Sequence, residues 1–179
     1  NDRALDATND ELYQFTLDVA TSILDKEQVT AWIRARIQTV ISAQEANIVS
    51  SEENITATII ALERAALDRW GKGDPSGFLE ISAPDVVYFD PFVERRLDGL
   101  DALMRLYESI RGQVHIDRYE LINPHVQLCG DAAVLTFNYI SYTGEKQSRW
   151  NCTEAYQRAQ GEWHIIQTHW SFTNRKSRN

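Results

Sequence analysis

Only two cysteines, Cys129 and Cys152, occur in 179 residues. That is too few for a disulfide framework, and no cysteine–histidine cluster has zinc spacing, so no metal site is expected. A single bridge between the two stays open. Long apolar runs are also missing: stretches such as Ala132-Ala133-Val134-Leu135 stop far short of the ~18 residues a membrane helix needs. Basic residues are the minority, 18 Lys and Arg against 26 Asp and Glu for a net charge of −8. Without a positive field to neutralise phosphates, nucleic acid is excluded as the expected partner. The chain begins at Asn1 rather than methionine, so an artificial boundary or a removed signal peptide is expected upstream. The compartment is therefore left open, with the cytoplasm as default. Two sequons, at Asn54 and Asn151, are read as chance matches.

What is present suits a globular chain, with 43% hydrophobic and 25% charged residues. Against a prior of about 150 residues per domain, the length allows one domain and an extension. A chain of this size can bury roughly 70% of its unfolded surface.

Two regimes meet near residue 75. Before it, apolar residues recur at helical spacing: Leu12, Phe15, Val19 and Ile23, then Val29, Ile33, Ile37 and Ile41, then Ile55, Ile59, Ala66 and Trp70. The spacing predicts three amphipathic helices with stops near residues 25, 48 and 71. Thr8 with Glu11 suggests a capping box for the first, and Ser51 before Glu52-Glu53 an N-cap for the third. Gly71, Gly73, Asp74, Pro75 and Gly77 close that helix.

After Pro84 the period falls to two. Val86-Val87-Tyr88-Phe89 reads as a strand ended by Asp90-Pro91, because proline cannot donate to a ladder. A short helix follows Asp98-Gly99 and ends near Gly112. Strands are then expected at 114–122, 125–129, 132–142 and 148–158, the first two allowed to be one bent strand. A last strand, Trp163 to Phe172, returns through a tight turn at Gln160-Gly161. The fold class is α+β: a cone-shaped, curved antiparallel sheet covered by helices, with an N-terminal helical extension. The domains are expected at residues 1–50 (extension), 51–174 (cone) and 175–179 (basic tail).

Several segments then carry a resemblance: Trp70-Gly71-Lys72-Gly73-Asp74, Asp85 to Pro91, Leu97-Asp98-Gly99, and the pair Trp150 to Tyr156 and Trp163 to Ser171. Over residues 53 to 174 the chain resembles the nuclear transport factor two-like (cystatin-like) superfamily. That group includes ketosteroid isomerase, scytalone dehydratase, SnoaL-like cyclases and the calmodulin-dependent kinase association domain. The resemblance implies the cone fold, a homodimer, and one cavity that serves different chemistries in different members. It places Asp90 on the isomerase's general base, Glu154 on its protonated oxyanion-hole acid, and Tyr107 on a helper tyrosine. The principal oxyanion tyrosine falls at Ala66, which speaks against steroid isomerisation itself.

Two carboxyls in one apolar cavity divide into base and acid, because burial disfavours the charged form. Asp90 would remove a proton beside a carbonyl while Glu154 or Tyr107 donates to the developing oxyanion, without a cofactor. The bland alternative has Asp90 accepting turn N–H groups. Tyr88 shares a face with Asp90, and Trp70 and Trp150 could stack on a flat ligand or serve the core. A two-residue turn at 160–161 pairs Glu154 with Gln167 and puts His169 on the cavity side; a one-residue difference reverses this, turning Thr168 and Trp170 inward. His115, near Asp117 and Arg118, reaches either the cavity mouth or a solvated edge. The expected function is binding of a small apolar organic molecule, with isomerase, lyase or cyclase chemistry, and the alternative is a non-enzymatic association module.

Overall fold

In the computed structural model, residues 5–173 are described, and they form two compact units divided between Asn54 and Ile55. The basic tail expected at 175–179 lies outside the described residues.

Two helices, not three, precede residue 75: α1 (Asn9–Ala20) and α2 (Lys26–Trp70). The expected stop near residue 48 does not occur. No glycine or proline lies between Lys26 and Trp70, and Ser50, Ser51 and Asn47 cost a helix only tenths of a kcal/mol, roughly, when nothing else interrupts it. Helix α1 has the expected capping box, with Glu11 N–H donating to Thr8 Oγ1 at 3.2 Å and Thr8 N–H to Glu11 Oε2 at 2.8 Å. Asp25 and Gln28 make the same reciprocal pair before α2, at 2.8 and 2.9 Å. In the first unit the Phe15 and Trp32 rings stack with centroids 4.0 Å apart, and the Arg36 guanidinium lies 3.7 Å from the Trp32 ring. No described residue of this unit is buried.

The second unit holds the end of α2, α3 (Ser76–Ile81), α4 (Leu100–Ser109) and a curved, unclosed sheet. Its strands are β1 (Ser82–Phe89), β2 (Leu97–Asp98), β3 (Arg118–Cys129), β4 (Ala132–Thr143), β5 (Lys146–Ala159) and β6 (Glu162–Phe172), in the order β2-β1-β6-β5-β4-β3. Strands β3 to β6 form the expected meander. The sheet is mixed rather than antiparallel throughout, because β1 runs parallel to β6. The whole meander separates these two strands in sequence, so no hairpin forces them antiparallel.

Residues 118–129 form one strand whose register breaks between Ile122 and His125, at Asn123 (φ 49°) and Pro124. The β5–β6 turn is the two-residue one expected, with Gln160 and Gly161 both at positive φ, as a twist-compatible hairpin requires. Its register holds as far as Tyr156 opposite Ile165, then shifts so that Ala155 faces Gln167. Ile166 is the extra residue of a β-bulge.

The core lies between the inner sheet face and the helices. Ile59, Ala66 and Leu67 of α2 pack with Leu135, Phe137 and Ile165 of the sheet and with Leu103 of α4. Helix α3 approaches α2 so closely that a Cβ on Gly77 would sit 2.9 Å from Ala66 Cα.

Candidate functional site

The second unit contains a cavity of about 420 Å³. One wall comes from the segment after α4, which backbone hydrogen bonds tie to the end of α2. Gly112 N–H donates to Gly73 O at 2.8 Å and Ile116 N–H to Gly71 O at 2.9 Å. Gly73 (φ 79°) is required here, since a Cβ would lie 2.9 Å from Gly112 Cα. Arg111 strengthens the join through Asp74, at 2.7 Å, and Ser76 Oγ, at 2.7 Å. Ile110, Gln113, Val114 and Ile116 are thereby held against the cavity.

Among the described residues Asp90 is the one carboxylate at the lining, and no Lys, Arg or His lines it. Alternation along β1 turns Val86 and Tyr88 inward, and Asp90 continues that face where Pro91 ends the strand. Asp90 Oδ1 accepts the N–H groups of Phe92 and Val93 at 2.8 and 2.9 Å, and Oδ2 accepts the Tyr88 hydroxyl at 2.9 Å. It is therefore both a turn acceptor and a cavity group. The turn contacts of the bland alternative are present at Oδ1, while Oδ2 faces Tyr88 at the lining.

Trp70, Tyr88, Tyr107, Trp150 and Trp170 line the cavity, with Phe92 also contributing while 74% exposed. The rings meet largely edge to face: Tyr88 and Tyr107 at 5.7 Å and 86°, Trp150 and Trp170 at 6.2 Å and 88°. Burial holds the Tyr88 and Tyr107 phenols well above the ordinary range, so both remain protonated donors near neutral pH.

Glu154 is fully buried but does not line the cavity. Its partners are Tyr156, at 2.9 Å, and Thr168, at 3.1 Å. Beside it lies Glu63 of α2, also fully buried, whose Oε2 accepts from the same Tyr156 hydroxyl at 3.2 Å. Burial drives both carboxyls upward, and the negative charge of Glu154 pushes Glu63 further. Both shifts favour a proton held by the pair over two facing carboxylates. The charge of Glu154 adds to the upward push that burial gives the Tyr107 phenol.

The bulge decides the fate of His169. Glu154 faces Thr168, not Gln167, so Thr168 turns inward and His169 is exposed on the other face, its ring 5.6 Å from Phe89. His115 likewise does not line the cavity; it is exposed and paired with Asp117 at 3.0 Å. Both cysteines are free, Cys129 exposed and Cys152 buried. Among the described residues no group of His, Cys, Asp or Glu could hold a metal ion, and no helix is long and apolar enough to cross a membrane.

Sequence reading missed Phe92, Gln113 and Ser141 at the lining, and the pairing of Glu63 with Glu154. For Glu63 a signal existed, an acid on the apolar face between Ile59 and Leu67. Gln113 and Ser141 carried none, since each depends on how distant segments meet.

Comparisons with known proteins agree with this architecture. No curated protein matches the chain. Among solved structures, a candidate ketosteroid isomerase from Parabacteroides distasonis is 44% identical, with a TM-score of 0.63 over 69% of this chain and 91% of that one. An NTF2-like protein from Pseudomonas putida is 22% identical, with a TM-score of 0.61 over 71% and 93%. The association domain of C. elegans CaMKII is 19% identical, with a TM-score of 0.59 over 68% and 98%. The latter two show the shared fold alone. The family model of the SnoaL-like domain matches residues 59–175, and the chain belongs to that family.

Proposed function

We propose that the cavity binds a small, largely apolar organic molecule and that Asp90 acts on it as a general base. The supporting observation is the placement of Asp90, the lone carboxylate in an aromatic lining, fixed by three hydrogen bonds. A base held in one orientation can abstract a proton from a bound carbon acid, and a protonated tyrosine can donate to the resulting oxyanion. Tyr107 fills that role in this reading, with Tyr88 orienting Asp90 and Trp70 and Trp150 holding the apolar body. The ketosteroid isomerase label on the Parabacteroides distasonis protein is in keeping with proton transfer of this type.

The test is proton–deuterium exchange at carbons next to the carbonyl in a panel of ketones and enones, followed by NMR. Exchange in the wild type that falls at least 100-fold in Asp90→Asn is expected. Equal rates in the two proteins would remove Asp90 from the chemistry.

A homodimer is a second reading, favoured by apolar side chains left exposed on the strands, Phe89 at 38%, Val134 at 36% and Phe172 at 47%. It is compatible with ligand binding, and becomes the whole function only if the cavity takes nothing.

A further inference from the structure

We propose that the ligand of this cavity is an organic cation, an ammonium group carried on an apolar body. The inference rests on the reading above that the cavity holds a small molecule, and adds the sign of its charge. The one formal charge among the described lining residues is negative. Asp90 contributes a formal negative charge, and among the described residues no Lys, Arg or His of the lining offsets it. The aromatic rings contribute quadrupoles whose faces are negative and attract cations. Rings lie on either side of Asp90 in the chain: Tyr88, edge-on to Tyr107 at 5.7 Å, and Phe92, 6.0 Å from Trp150. A carboxylate framed by aromatic rings is the arrangement that best replaces the water lost by an ammonium ion entering an apolar space.

The competing ligand classes fit less well. An anion would meet Asp90 with no counter-charge and lose its hydration for nothing, within a chain of net charge −8. A wholly neutral oxygenated ligand could use the donors but would leave the charge of Asp90 unanswered. The Tyr88 hydroxyl is spent on Asp90, and the Tyr139 hydroxyl is enclosed in the wall. Tyr107, Gln113 and Ser141 remain, enough to orient a polar end such as a carbonyl but not to compensate a carboxylate. The geometry of Asp90 also suits a counterion. Oδ1 is saturated by two backbone N–H groups, while Oδ2 accepts one hydroxyl and keeps a lone pair for an N–H or a nearby positive charge.

The test uses two probes of one shape that differ in charge, phenyltrimethylammonium and tert-butylbenzene, titrated against tryptophan fluorescence of the intact chain at fixed ionic strength. The cation is expected to bind at least tenfold tighter. Asp90→Asn should remove at least tenfold of the cation's affinity while leaving tert-butylbenzene within about twofold. Phe92→Ala, at an exposed ring, should weaken the cation at least threefold. Equal or tighter binding of tert-butylbenzene to the wild type would overturn the charge assignment and leave the cavity reading standing. A cation preference that survives in Asp90→Asn would overturn the role given to that carboxylate. No response to either probe up to the solubility limit would sink this inference and the cavity reading together.

Discussion

Glu63 and Glu154 lie against each other in the interior, bridged by the hydroxyl of Tyr156, which is 3.2 Å from one carboxyl and 2.9 Å from the other. Tyr156 has one proton to give, and Thr168 gives a second to Glu154. Four carboxyl oxygens with two hydroxyl protons leave two negative charges facing each other unless a carboxyl keeps its own proton. Glu63 Oε1 has no other partner, and burial, followed by the charge of Glu154, raises the Glu63 carboxyl well above its ordinary range.

The sign of the pH dependence follows. The folded pair binds a proton that the unfolded chain releases near pH 4.5. Its contribution is therefore complete below that pH and is lost as pH rises through the elevated folded value, at up to about 1.4 kcal/mol per pH unit for each proton. Glu63→Gln carries its hydrogens at every pH. Denaturant melts from pH 5 to 9 should show the wild type losing stability relative to Glu63→Gln as pH increases. Parallel curves for the two proteins would mean that no proton is shared.

Gly77→Ala tests the contact between α3 and α2. The added Cβ would lie 2.9 Å from Ala66 Cα, and backbone cannot rotate away as a side chain can. A loss of about 1–3 kcal/mol is expected from overpacking, read as a lower melting temperature. An unchanged melt would show that the two helices separate freely.

Thiol labelling should split the cysteines. Cys129 is exposed and Cys152 buried, with burial pushing the Cys152 thiol up. Under native conditions one thiol per chain should react with Ellman's reagent, and the second only in denaturant. Native reaction at Cys152, mapped by mass spectrometry, would contradict the packing of β5.

Light scattering coupled to size exclusion should give the mass of a dimer at micromolar concentration. A monomer there would remove self-association as a reading of the exposed strand residues.

Much of the second unit was legible because its punctuation is local. Asp90-Pro91 ends a strand, Gly161 makes a hairpin turn, and alternation assigns Val86 and Tyr88 to one face; none of these needs a distant partner. Helix α2 was misread for the opposite reason. Ser51 and Glu52-Glu53 resemble a start, but a capping sequence acts only where the helix is interrupted, and nothing interrupts this one. Counting from the hairpin gave the correct face for Ile165 and the wrong one for His169, because the register shift at Ile166 has no local signature in the sequence. Glu63 needed tertiary structure to acquire its meaning, since only the arrival of β5 supplies Glu154 and Tyr156.

Ile166 makes β6 tolerant in an unusual direction. In a regular ladder, excising one residue reverses all that follow, so an interior side chain is exchanged for a solvated neighbour. Excising this residue would leave Thr168 opposite Glu154 and Trp170 opposite Cys152, as they are now. The last strand therefore carries a spare position at which the chain can shorten without turning itself inside out.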